Sequence, residues 1–95
     1  MRWLIPSLDD VQREYPEFVQ RLVQRLGGRE SRARALWLAV FRIFAEANRG
    51  ATRDALFHAV VLFIDMTIRL WQGPVSQDAM DRFLAHLRQE VESRV

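Results

Sequence analysis

Apolar residues recur at three- and four-residue spacing through most of the chain, and glycine, proline and N-capping residues punctuate the pattern. Phe18, Val19, Leu22, Val23 and Leu26 make one stripe, closed by Gly27-Gly28. Ser7 is placed to cap this first helix, with Asp9 and Asp10 in its first turn, and Pro16 is placed to break it into a short piece and a longer one. Ser31 is the expected cap of a second helix, about Arg32 to Asn48. Thr52 is the expected cap of a third, Arg53 to Gln72, ended by Gly73-Pro74. Ser76 is the expected cap of a fourth, whose apolar face carries Ala79, Met80, Phe83, Leu84, Leu87 and Val91. No strand-like alternation, internal repeat or low-complexity segment is present. The pattern predicts an all-α fold, a four-helix up-down bundle with short connections, as one domain over 1–95 with an N-terminal arm at 1–6.

The two middle helices are expected to be central. In the second, polar residues are confined to a stripe containing Arg42, Glu46 and Arg49, which leaves roughly 240° of apolar surface at 100° per residue. In the third, Asp54, His58, Asp65, Arg69 and Gln72 project within about 60° of one another, and nearly everything else is apolar. An outer helix of a bundle needs an apolar arc of about 100° or somewhat more. A surplus this large favours association, so the chain is expected to form a homodimer or to dock on a protein partner. The large side chains Trp37, Phe41, Phe44, Phe57, Phe63 and Trp71 are the expected self-association surface. The competing use of the arm Trp3-Leu4-Ile5 is to fold back as cover.

Composition narrows the classes. The chain has 95 residues, nearly half hydrophobic, which excludes disorder. It has no cysteine, hence no disulfide, thiolate metal site or cysteine nucleophile. The longest apolar run, Ala35 to Phe41, is far short of the roughly 18 residues of a membrane span. The start, MRWLIP, lacks the apolar core of a secretory signal. A cytoplasmic location without membrane contact is expected.

Candidate chemistry is sparse. Asp54, His58 and Asp65 share a face, the one arrangement that suits a metal or a proton relay. The Glu-x-x-His pattern of carboxylate-bridged bundles is missing, because Ala55 and Phe83 stand three residues before His58 and His86. Ser7, Ser31 and Ser76 are explained as caps, and the glycines stand at helix ends rather than in a phosphate cradle. No catalytic residue, metal, cofactor or small-molecule substrate is indicated.

Charge is uneven. All fourteen basic residues are arginine, and the chain carries a formal +2. Arg21, Arg25, Arg29, Arg32 and Arg34 fall in one window against a single acid, Glu30, so that window nets +4. Gln20, Arg21, Gln24 and Arg25 are expected to form a solvated face of the first helix, which would explain two of the arginines, and Glu17 is a suitable i,i+4 partner for Arg21. Arg29, Arg32 and Arg34 gather where two helices meet. Such a patch attracts an acidic partner or a polyanion. The long helices and hairpin-like link do not match a helix-turn-helix reading head, so any contact with nucleic acid is to backbone phosphate. The expected function is a small non-enzymatic interaction protein (adaptor, assembly subunit, regulator or inhibitor) that self-associates and binds a protein partner. The alternative is a sequence-indifferent nucleic-acid binder that uses the same arginines.

Overall fold

A computed structural model describes residues 5–93. Their regular structure is entirely helical: α1 (Leu8–Glu14), α2 (Pro16–Arg25), α3 (Glu30–Ala47), α4 (Arg53–Leu70) and α5 (Gln77–Glu92). Five helices stand where the pattern predicts four, because the first is divided at Tyr15. Proline disfavours helical geometry in the residue before it, and Tyr15 sits at φ −134°, ψ 63° with Pro16 opening α2. Tyr15 N–H still closes α1 on the Val11 carbonyl, and its own carbonyl accepts from Val19 N–H in α2.

The caps follow the sequence at three of four sites. Ser7 and Asp10 form a reciprocal capping box, and Thr52 and Ser76 accept from the N–H groups of Ala55 and Ala79. Ser31 does not cap. Helix α3 starts at Glu30, with Arg29 at the N-cap position and no side chain serving its first turn. The end of α2 explains the shift. Gly27 and Gly28 both adopt positive φ, 74° and 77°, which costs an L-residue about 1–2 kcal/mol and glycine nothing. Gly27 N–H donates to the Gln24 carbonyl and Gly28 N–H to the Val23 carbonyl at 2.8 Å, the Schellman arrangement. The chain thus reverses in two residues, and α3 begins at once.

Helix α3 is the central element and packs against α1, α2, α4 and α5. Trp37, Val40 and Phe41 on it are fully buried, as are Leu22 of α2, Leu26 at its C-cap and Val60 of α4. Trp37 donates its Nε1–H to the Pro6 carbonyl at 2.7 Å, which pins the chain before α1 onto α3. Ring contacts continue across the α3–α4 interface: Trp37 meets Phe57 edge-on at 5.7 Å, and Phe44 meets Phe63 at 5.1 Å. Helix α5 lies on α3 and reaches α4 through Phe83, which touches Phe63 and Trp71. The Cα radius of gyration, 12.9 Å, matches the ~13 Å of a compact chain of about this length.

Helix α4 is less central than its composition implies. It packs on α2 and α3 through Leu56, Phe57, Val60, Val61, Ile64 and Ile68, and leaves the opposite arc open. Ile5 packs against the core. Trp3 and Leu4, the rest of the candidate cover, lie outside the described residues.

Candidate interaction surfaces

The five arginines of the window have different fates. Arg21 turns toward α4 rather than toward Glu17: its Nε donates to Asp65 Oδ1 at 3.0 Å and its Nη2 to Oδ2 at 3.2 Å. Arg34 grips Asp9 of α1 with two hydrogen bonds, at 3.0 and 3.4 Å, and lies 3.9 Å from Glu30. The Asp9 carboxylate, as hydrogen-bond partner and counter-charge, raises the pKa of this guanidinium further. Both cations are therefore neutralised by carboxylates.

Arg25 and Arg32 are held differently. Arg25 donates through Nε to the Ile68 carbonyl at 3.1 Å and through Nη2 to the Trp71 carbonyl. These are terminal carbonyls of α4, which lack partners inside the helix and welcome a cationic donor. Arg32 donates to the Val75 carbonyl at 3.3 Å. A carbonyl fixes a guanidinium but leaves its charge intact. Arg29 is exposed and has no side-chain partner among the described residues. The solvated face expected for α2 is thus limited to Gln20 and Gln24, while Arg21 and Arg25 are partly buried crosslinks to α4.

Arg25, Arg29 and Arg32 line one open pocket of about 420 Å³, between the α2–α3 elbow and the α4–α5 link. Among the described residues no acidic one lines it. A neighbouring pocket of about 330 Å³ shares the Gln24/Arg25 wall and adds Arg21, Arg69 and Trp71. Asp65 pairs with both Arg21 and Arg69, so one positive charge is left over there as well.

The second surface is apolar. Leu62, Met66 and Leu70 stand four residues apart along α4 and are 56%, 56% and 75% exposed. Exposed Ala55 and Ala59 extend the row toward the start of the helix. One helical turn separates each pair, so the three large side chains form a continuous ridge. The rings expected to mediate self-association are placed elsewhere. Trp37, Phe41 and Phe57 are in the core, and Phe44, Phe63 and Trp71 are half-buried against it. The sequence carries only a partial signal for the ridge. On α4 the aromatic and β-branched apolar residues fall on the buried or half-buried arc with Leu56, whereas Leu62, Met66 and Leu70 fall on the open one.

The Asp54, His58, Asp65 stripe does not converge. Asp54 is exposed beside Arg53, the His58 Nδ1 is 3.1 Å from the Tyr15 hydroxyl, and Asp65 is occupied by two arginines. Among the described residues no three His, Asp or Glu side chains gather where a metal ion would be held. No helix among them is long and apolar enough to cross a membrane. Comparison with protein-family models, with curated proteins and with solved structures finds no match.

Proposed function

We propose that the chain is a small, non-enzymatic helical interaction protein that self-associates through the α4 ridge and offers the α2–α3 elbow to an acidic protein partner. The exposed row Leu62, Met66 and Leu70 carries the reading. A contiguous apolar strip rimmed by polar residues is the usual mark of a protein contact. The occupant that fits is a second copy. Pairing two α4 helices antiparallel about Met66 sets Leu62 of one against Leu70 of the other. Adaptor, assembly-subunit and regulator roles all belong to this reading, as does a cytoplasmic location.

The absence of cysteine makes the test clean. A Met66→Cys variant is expected to form a disulfide-linked dimer under mild oxidation. Arg42→Cys, on the exposed outer face of α3, is expected to remain monomeric. Equal crosslinking of both, or of neither, contradicts the pairing.

One observation favours the second reading, a sequence-indifferent nucleic-acid contact. The two adjoining pockets bring together Arg21, Arg25, Arg29, Arg32 and Arg69, and among the described residues Asp65 is the one carboxylate paired to any of them. Phosphate-dominated binding weakens by orders of magnitude between about 50 and 200 mM salt, so a salt titration with an oligonucleotide separates it from the first.

A further inference from the structure

We infer that the pocket lined by Arg25, Arg29 and Arg32 is a site for a phosphate monoester, presented by the acidic protein partner as a phosphorylated side chain. The inference rests on the elbow half of the proposed function and is independent of the α4 ridge.

The charge count sets the chemistry. Among the described residues, three guanidinium groups and no carboxylate line the pocket. Arg21 and Arg34, its neighbours in sequence, are neutralised by Asp65 and Asp9, and Glu30 leans toward Arg34. A monoester carries about −1.5 to −2 near neutral pH, against about −1 for one aspartate or one nucleic-acid phosphodiester. A dianion is therefore the better complement to a compact, uncompensated triple cation.

The geometry is prepared. Carbonyls at the end of α4 and in the α4–α5 link hold Arg25 and Arg32 in place, with most of their N–H donors still free. Guanidinium forks suit tetrahedral oxyanions, and pre-ordered ones lose little entropy on binding. Arg29 is the N-cap of α3 and Ser76 the N-cap of α5, so both helices begin at the pocket wall with their positive dipole ends. The volume, about 420 Å³ and open to solvent, admits a phosphate together with the side chain that carries it. A diester backbone needs an elongated track of cations instead.

The test is an amide NMR titration at constant ionic strength with three probes: a capped tripeptide with central phosphoserine, the same peptide with aspartate, and a deoxythymidine octamer. The phosphoserine peptide is expected to give saturable shifts at Arg25, Gly27, Arg29, Arg32 and Ser76, with an affinity about tenfold above the aspartate peptide. Arg29→Ala, which removes no internal contact, is expected to lower that affinity about tenfold, as loss of a charge-assisted bond does. Arg34→Gln is expected to leave it unchanged. Equal binding of the aspartate peptide overturns the phosphate assignment and leaves the acidic-partner reading standing. Tighter binding of the octamer overturns the monoester in favour of nucleic acid. An Arg29→Ala variant that binds as the parent does places the ligand elsewhere, and no saturable shift from any probe removes both the site and the elbow half of the proposed function.

Discussion

Arg21 and Asp65 are joined by two parallel hydrogen bonds, at 3.0 and 3.2 Å, that tie α2 to α4 across 44 residues of sequence. Asp65 also receives Arg69 at 3.1 Å. Its side chain is only 18% exposed, against 38% for Arg21, so solvent screens the pair in part. A double-mutant cycle with Arg21→Met and Asp65→Asn is expected to give a coupling energy of about 1–2 kcal/mol, above the range of an open surface pair. Chemical denaturation reads it, and strictly additive single effects contradict it.

Trp37 supports the core in two ways. Its ring is fully buried between Phe41 and Phe57, and its indole N–H satisfies the Pro6 carbonyl. Trp37→Phe removes the bond and leaves a void, at an expected cost of about 2–3 kcal/mol. That is a large part of the roughly 5–14 kcal/mol typical for a chain of this length. Leu62→Ala, on the open ridge, is expected to change the stability of the monomer by about 0.5 kcal/mol or less. Urea melts of the two variants at low protein concentration make the comparison.

Acid stability carries a defined sign at Asp10. The backbone N–H of Ser7 chiefly holds the Asp10 carboxyl below its ordinary value; burial opposes it, and the Ser7 hydroxyl and the charges of Arg13 and Arg53 add to the lowering. A depressed folded-state pKa contributes stability that is fully present above the unfolded value of about 3.8 and is lost as pH falls through the folded one. Asp10→Asn is therefore expected to flatten the pH dependence of the melting temperature below about pH 4 and to lower stability at neutral pH. An unchanged acid limb contradicts this role for the capping box.

Helix positions were legible because they follow from local rules. The Phe18/Leu22/Leu26 period, the Ser7, Thr52 and Ser76 caps, and the Gly27-Gly28 and Gly73-Pro74 stops each act within a few residues. Arg29 at the head of α3 was not legible, since the double-glycine turn decides where α3 starts. Leu70 rather than Gln72 ends α4, where the chain leaves the helix at Trp71 and Arg25 takes two of the terminal carbonyls.

The candidate sites were harder to read because their partners are distant in sequence. The bonds of Arg21, Arg25 and Arg32 to α4 and the α4–α5 link span 43 to 46 residues, and no one-dimensional pattern pairs them. Five arginines are countable in the sequence, but their division into neutralised and open charge depends on where Asp9 and Asp65 arrive. Likewise, a helix that is apolar around most of its circumference does not disclose which side α2 and α3 will cover. The size of the surplus on α4 was readable. Its address, on Leu62, Met66 and Leu70 rather than on the aromatic rings, required the packing.

Association through that ridge is the central claim, and sedimentation equilibrium over a wide concentration range tests it most directly. The parent chain is expected to shift from monomer to dimer as concentration rises, and Met66→Glu to remain monomeric with an unchanged helical spectrum. A parent that stays monomeric throughout, or a Met66→Glu variant that dimerises as the parent does, contradicts the account.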